Sequence, residues 1–329
     1  MRRRDAIALI GGAAVCSPFV ARAQQPMRRI GILIGAAEND PETELRLTAL
    51  RERLNELGWT VGRNLSIEYR WAGADIEQIK RLAQELIALN PDLIVSTATP
   101  PAVEIQRANT TIPVVFVVVT DPVGAGLIRS LARPGGNMTG FVNLEDSMGG
   151  KWLQLLKEIA PAVRRAAIMF NPETAPGGGG YFLPSFEAAA STLGVEPVKA
   201  AVRNPAEIER AMVQLGNEPG GGLVMMSDSF MTVNRGQVIR LSEELKLPAI
   251  YPLGSAAREG GLLGYAADYR DLFRRSAGYV DRILRGERPA ELPVQAPAKF
   301  ELVVNLKAAK AIGLTVPVTF LARADEVIE

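Results

Sequence analysis

The chain has 329 residues, 47% of them hydrophobic, with 37 Lys and Arg against 36 Asp and Glu for a net charge of +1. That length and apolar content suffice for about two packed domains, and the balanced charge lacks the basic excess with which proteins neutralise nucleic-acid phosphates or hold anionic membranes. The sequence contains no His and a single Cys, Cys16, which excludes Ser-His-Asp and Cys-His catalysis, His-ligated zinc and any disulfide framework.

Arg2, Arg3 and Arg4 precede an apolar run from Ala6 to Val15, followed by Ala21-Arg22-Ala23. A basic start, an apolar core too short to span a bilayer and an A-x-A site read as an export signal cleaved after Ala23, which predicts a periplasmic protein. The paired arginines fit a twin-arginine route while Asp5-Ala6 departs from it, so that route and the general secretory one both stay open. Val15 precedes Cys16 where a lipid-attachment box has a small residue, so plain cleavage is expected. Removing residues 1–23 takes four Arg and one Asp, leaving 33 basic and 35 acidic residues, a net charge of −2 and no cysteine.

From Arg28 the pattern alternates between short apolar, mostly β-branched runs and longer amphipathic stretches, the signature of βαβ units and parallel sheets. Ile30 to Ala36, Leu65 to Trp71, Leu93 to Ala98 and Val114 to Val119 read as buried strands. Helices are predicted over Glu42 to Leu57, which stops at Gly58, and over Ile76 to Leu89, capped by Asp75 and ended before Pro91. After Asn143 the alternation resumes, with strands at Ala166–Phe170, Val195–Val202, Leu223–Met226 and Ala249–Tyr251. Helices fall at Lys151–Ile159, after Gly177–Gly180, at Pro205–Leu215 and at Val233–Leu245. A strand at Leu262–Ala266, a helix at Asp271–Leu284, a strand at Phe300–Val304 and a helix around Leu306–Ile312 complete the chain.

The expected fold is therefore α/β, two doubly wound parallel-sheet lobes with three hinge crossings. Lobe 1 is assigned to residues 24–142 plus 259–287 and lobe 2 to residues 143–258 plus 288–329, with crossings near Asn143, Ser255–Gly260 and Pro289–Pro293. Ligands of open parallel sheets bind beyond the carboxyl ends of the strands, and two such edges facing each other form a cleft.

The strand ends supply the candidates. Ser96, Thr97 and Thr99 lie where a buried strand runs into a helix opened by Pro100, a start whose amides and hydroxyls suit a carboxylate or phosphate. Thr120 and Asp121 follow the most apolar strand, and Asp228, between two serines, ends a strand of the other half. Both aspartates offer a partner for an ammonium group, and plain helix capping competes at Thr99, Asp121 and Asp228 alike. Tyr251, Tyr265, Phe141 and Phe230 are candidate stacking surfaces. Gly124-Ala125-Gly126 lacks the third glycine of a dinucleotide fingerprint, and Gly177–Gly180 lacks a following Lys-Ser/Thr. No metal or cofactor is expected.

The runs Thr120-Asp121-Pro122-Val123-Gly124-Ala125-Gly126-Leu127-Ile128 and Ser130-Leu131-Ala132-Arg133-Pro134-Gly135-Gly136-Asn137-Met138-Thr139-Gly140 resemble the substrate-binding proteins of the ABC transporter family that includes tryptophan and tyrosine binders. Lys299-Phe300-Glu301-Leu302-Val303-Val304-Asn305-Leu306-Lys307 and Leu321-Ala322-Arg323-Ala324-Asp325-Glu326-Val327-Ile328 fit the same pattern. The resemblance implies a periplasmic-binding fold of type I-like architecture and places ligand contacts on Ser96–Thr99, Thr120–Asp121, Phe141–Asn143, Asp228 and Tyr251. Ser227-Asp228-Ser229-Phe230-Met231-Thr232 departs from the Pro- and Phe-rich stretch of many relatives.

The function expected on this basis is an exported, monomeric receptor that closes on a small zwitterion, an aromatic or apolar amino acid, and passes it to an inner-membrane ABC permease. The carboxylate would rest on Thr97–Thr99 and the ammonium on Asp121 or Asp228. The alternative is a cleft enzyme, a glycosyltransferase-like protein or a hydrolase using Asp121 and Asp228 as a carboxylate pair. A sugar-responsive transcription factor would share the fold but needs a DNA-binding helix pair before Arg28, where the export signal is read.

Overall fold

The computed structural model describes residues 27–108 and 111–329. The export signal and Cys16 lie outside the described residues.

The first lobe runs β1 (Arg28–Ile34), α1 (Pro41–Glu56), β2 (Leu65–Trp71), α2 (Ile76–Ala88), β3 (Leu93–Thr97), α3 (Thr99–Arg107), β4 (Val114–Val119) and β5 (Met138–Val142), and its strands pair in parallel in the order β2-β1-β3-β4-β5. The period of two along β1 decides what each face meets. Ile30, Ile32 and Ile34 pack on Leu47, Leu50 and Leu54 of α1, whereas Leu33 packs on Ile79, Leu82 and Leu86 of α2. Each such leucine, taken out of water, contributes roughly 2 kcal/mol. Asp40 caps α1 by accepting from the Thr43 amide at 2.9 Å, and Asp75 caps α2 by accepting from that of Gln78 at 3.0 Å.

The second lobe comprises α4 (Met148–Ile159), β6 (Arg165–Phe170), α5 (Leu183–Leu193), β7 (Glu196–Ala201), α6 (Pro205–Gly216), β8 (Gly221–Met225), α7 (Ser229–Val233), α8 (Arg235–Glu244), β9 (Ala249–Tyr251), α9 (Gly254–Arg258) and β10 (Leu263–Ala267). After α10 (Tyr269–Leu284) the chain returns through β11 (Phe300–Asn305), α11 (Leu306–Ala311), α12 (Val318–Leu321) and β12 (Glu326–Ile328). The seven-stranded sheet runs β12-β11-β10-β9-β8-β6-β7, antiparallel only between β10 and β11. Helices cover both faces: Ala167 and Met169 meet Ile208, Met212 and Val238, while Ile168 and Phe170 meet Trp152, Leu156 and Phe186.

Two lobes and three crossings agree with the expectation, but two crossings lie elsewhere. β10 pairs with β9 and β11, so it belongs to the second sheet and the chain crosses at Asp268, not at Ser255–Gly260. Next, α10 packs on the first lobe, with Trp59 Nε1 donating to Asp281 Oδ1 at 2.8 Å. Residues 292–295 stay beside β5, where Thr139 Oγ1 donates to the Leu292 carbonyl at 2.6 Å and the Val142 amide to that of Gln295 at 3.0 Å. The last crossing is therefore at 296–299, past Pro289–Pro293. An apolar run announces a strand but not the sheet that accepts it.

The sequence pattern does not announce β5, whose position depends on Gly140, where an added Cβ would fall 1.9 Å from the Phe116 carbonyl oxygen of β4. Gly140→Ala is expected to cost roughly 3 kcal/mol, because backbone must move to admit the methyl group. Thermal denaturation checks this, and an unchanged melting temperature would contradict it.

Candidate functional site

Where the carboxyl ends of the two sheets face each other lies a cleft walled by both lobes, with the first two crossings beside it. The first lobe contributes Ala36 after β1, Thr43 and Arg46 of α1, Thr97 to Pro100, Val118 and Thr120; the second contributes Thr174, Pro176, Ser227 to Ser229, Thr232 and Leu253. Asn143 comes from the first crossing, and Tyr269 and Phe273 from the start of α10.

The backbone is strained at this edge. Ala98 and Val118 both have positive φ, 72° and 61°, and the pairing of β4 with β5 shifts register between Val117 and Val119. For a β-branched residue such as Val118 this conformation is an outlier, held only where surroundings over-determine it, and such positions cluster at binding sites.

A chain of side chains ties the crossings to both lobes. The Thr120 amide donates to Thr99 Oγ1 at 3.1 Å, Thr120 Oγ1 donates to Asn143 Oδ1 at 2.8 Å, and Asn143 Nδ2 donates to the Tyr269 hydroxyl at 3.4 Å. That hydroxyl points at the Pro252 carbonyl at 3.5 Å, and burial raises the pKa of the phenol. Thr97 Oγ1 accepts from the Gly35 amide at 3.2 Å.

Asp228 faces the cleft from the second lobe, but its oxygens are already committed. Oδ1 accepts from the Met231 amide at 2.8 Å and the Thr174 hydroxyl at 3.0 Å, and Oδ2 accepts from the Asn171 amide at 3.0 Å. Burial pushes its pKa up to about 6, against the pull of these bonds. Asp228 is thus the N-cap of α7 through the Met231 amide, and it also ties that cap to the loop after β6 through Asn171 and Thr174.

Thr97, Thr99, Thr120, Asn143 and Asp228 are brought together in the cleft, while the other candidates are placed elsewhere. Ser96 adjoins Thr97 in β3 and so faces the opposite side of the sheet, completely buried. Asp121 lies outside the lining, with Oδ1 accepting from the Gly124 amide at 2.8 Å as a turn cap. Phe141 points at α10, its ring 5.0 Å from that of Tyr279. Tyr251 is buried in the second lobe, where its hydroxyl donates to Ser242 Oγ at 3.2 Å and burial raises its pKa. Tyr265 stacks on Phe300 with centroids 5.8 Å apart. The start of α3 is poorer in donors than expected: Pro100 and Pro101 have no N–H, and the Ala98 amide is spent on the Val117 carbonyl at 3.0 Å.

Sequence reasoning missed Arg46, Thr174, Tyr269 and Phe273. Arg46 reads as an exposed helix residue with Glu42 one turn earlier, yet its guanidinium carbon lies 4.8 Å above the Tyr269 ring. Also missed was a contact across the cleft mouth. Arg235 Nη2, at the start of α8, lies 2.5 Å from Asp40 Oδ1, the cap of α1, with side-chain exposures of only 14% and 9%. Burial pushes the Asp40 pKa up, but bonds from Thr43 and Arg235 and the guanidinium charge outweigh it and leave the carboxyl below its usual range. Among the described residues this is the ion pair that joins the lobes.

A family model described as ABC transporter substrate binding protein matches residues 37–328. A curated "Tyrosine-binding protein" of Clostridioides difficile is 25% identical over 264 residues, 79% of this chain and 74% of that one. Among solved structures, an ABC domain from Streptococcus pneumonia in complex with L-Trp superposes with a TM-score of 0.83 at 24% identity, covering 92% of this chain and 100% of that one. The ligand-free, open structure of a Clostridium difficile substrate binding protein with adhesive properties gives 0.65, also at 24% identity, covering 92% and 99%. With a matched segment of that length and a two-lobed fold shared with periplasmic binding proteins, the chain belongs to the ABC transporter substrate-binding protein family.

Proposed function

We propose that this protein captures an aromatic amino acid between its lobes, outside the cytoplasmic membrane, and delivers it to an ABC permease as an exported monomer whose leader ends at Ala23. The observation that carries the reading is the cleft itself, where both lobes and the crossings contribute hydroxyls beside the rings of Tyr269 and Phe273. A ligand there touches both lobes only when they are together, so its binding shifts the chain toward the closed state. At equal identity and equal coverage of this chain, the shape is closer to the L-Trp complex than to the ligand-free, open structure, which supports reading the lobes as drawn together. The names of the relatives, one tyrosine-binding and one holding L-Trp, support the aromatic class. Micromolar affinity requires about −8 kcal/mol, within reach of a buried ring and one charged contact after ordering costs.

In this reading no bond is made or broken. The enzyme alternative loses its carboxylate pair, since Asp121 lies outside the cleft and Asp228 is committed to hydrogen bonds. The test is thermal stabilisation of protein freed of carried-over ligand, against amino acids, sugars, nucleosides and small carboxylates, with mass spectrometry of the recovered ligand. Stabilisation by Trp, Tyr or Phe, returned unchanged, is expected. Stabilisation by a sugar or nucleoside alone would keep the receptor and discard the amino acid, and a chemically altered ligand would restore the enzyme.

A further inference from the structure

Among the cleft-lining side chains, Arg46 and Asp228 are the two with formal charge, and their situations are opposite. Asp228 accepts from two amides and a hydroxyl and has little capacity left. Arg46 is held from behind, its Nε donating to Glu42 Oε1 at 3.4 Å and its guanidinium carbon lying over the Tyr269 ring, with only 12% of the side chain exposed. Among the described residues its Nη1 and Nη2 have no hydrogen-bond partner. A guanidinium steered by a carboxylate, set over a ring and open at both terminal nitrogens is shaped to take a carboxylate through two parallel bonds.

We propose that Arg46 holds the carboxylate of the bound ligand and is the residue that makes the cleft selective for monocarboxylates. The proposal rests on the aromatic amino-acid reading and deepens it: the acid end is recognised by charge, while the amino end meets neutral acceptors such as Asn143 Oδ1 and the Thr120 and Ser227 oxygens. This assigns recognition differently from an ammonium held by Asp121 or Asp228. The carboxylate also gains a contact on α1, whose cap Asp40 is the residue bonded across the mouth to Arg235.

The experiment is calorimetric titration of the full protein and of Arg46→Gln with L-tryptophan, L-tryptophanamide and indole-3-propionate. Wild type should bind L-tryptophan and retain indole-3-propionate within about tenfold, while the amide falls roughly 100-fold, as for a buried charged contact left without its partner. Arg46→Gln should weaken the two acids roughly 100-fold and leave the amide nearly unchanged. Arg46→Lys, which keeps the charge but not the fork, should fall between and serves as the readout if Arg46→Gln does not fold. Equal losses for acid and amide, or unaltered binding of the acids by a folded Arg46→Gln, would overturn the role of Arg46 and leave the amino-acid reading standing. Wild type that binds none of the three, and no tyrosine or phenylalanine, would overturn both.

Discussion

Asp228→Ala is expected to destabilise the protein by about 4 kcal/mol, because the buried amides of Asn171 and Met231 and the hydroxyl of Thr174 lose their acceptor together. These bonds fasten the loop after β6 to the start of α7, so the damage centres on the second lobe's wall of the cleft. Denaturant unfolding measures the loss, and a change below about 1 kcal/mol would contradict the committed carboxylate. The pH dependence provides an independent check. Burial raises the pKa of Asp228 from 3.8 to about 6 in the folded state. The folded chain therefore takes up this proton first as pH falls, and the contribution to stability is complete below about pH 4 and lost as pH rises through about 6. Two pH units correspond to about 3 kcal/mol. Asp228→Asn cannot titrate, so the stability advantage of wild type over it should be wider at pH 4.5 than at pH 7.5. Asp40, whose folded pKa is lowered and whose contribution is instead lost on acidification, is present in both proteins and cancels. An advantage that narrows on acidification would reverse the assignment.

Arg235→Ala is expected to weaken ligand binding about 30-fold, chiefly by faster dissociation, with the empty protein more open. The pair with Asp40 spans 195 residues and joins the two lobes, so in the closure reading proposed above it belongs to the closed state. Its loss removes about 2 kcal/mol from the closed state alone, leaving Asp40 without its cation, and a shift in that equilibrium passes directly into apparent affinity. Glu259, which also bonds Arg235 at 2.8 Å, lies within the second lobe, so Glu259→Gln should have a smaller effect. Small-angle scattering reads the open fraction and stopped-flow fluorescence reads dissociation. Unchanged values for both in Arg235→Ala would mean that the contact does not hold the lobes together.

Much of the fold was legible because it is written in neighbouring residues. The strands at Leu65–Trp71, Val114–Val119 and Ala249–Tyr251 have the limits expected of them, although Leu65–Trp71, where Ser66, Glu68 and Arg70 alternate with apolar residues, is a half-buried edge strand and not a buried one, and the caps at Asp75 and Asp228 follow from an oxygen placed before a helix. β5 and β12 escaped, one being interrupted by a glycine and the other offering only Val327 and Ile328 between two glutamates. The candidate site was legible in part. Strand parity already forbids Ser96 and Thr97 from sharing a face, and Pro100-Pro101 already removes amides from the start of α3, so both corrections lay within reach of local chemistry.

What the sequence determined by itself is the alternation of strand and helix, the two-lobed class and the general edge at which a ligand sits, because each depends on period and spacing within a few residues. What the tertiary structure decided is which sheet receives β10, that Asp228 is spent on its own lobe, that Arg46 meets Tyr269 and that Asp40 meets Arg235. Those contacts join residues far apart in the chain, created when parallel sheets and crossings fold back on one another, and no local pattern of polarity encodes which distant partner a charged side chain will meet.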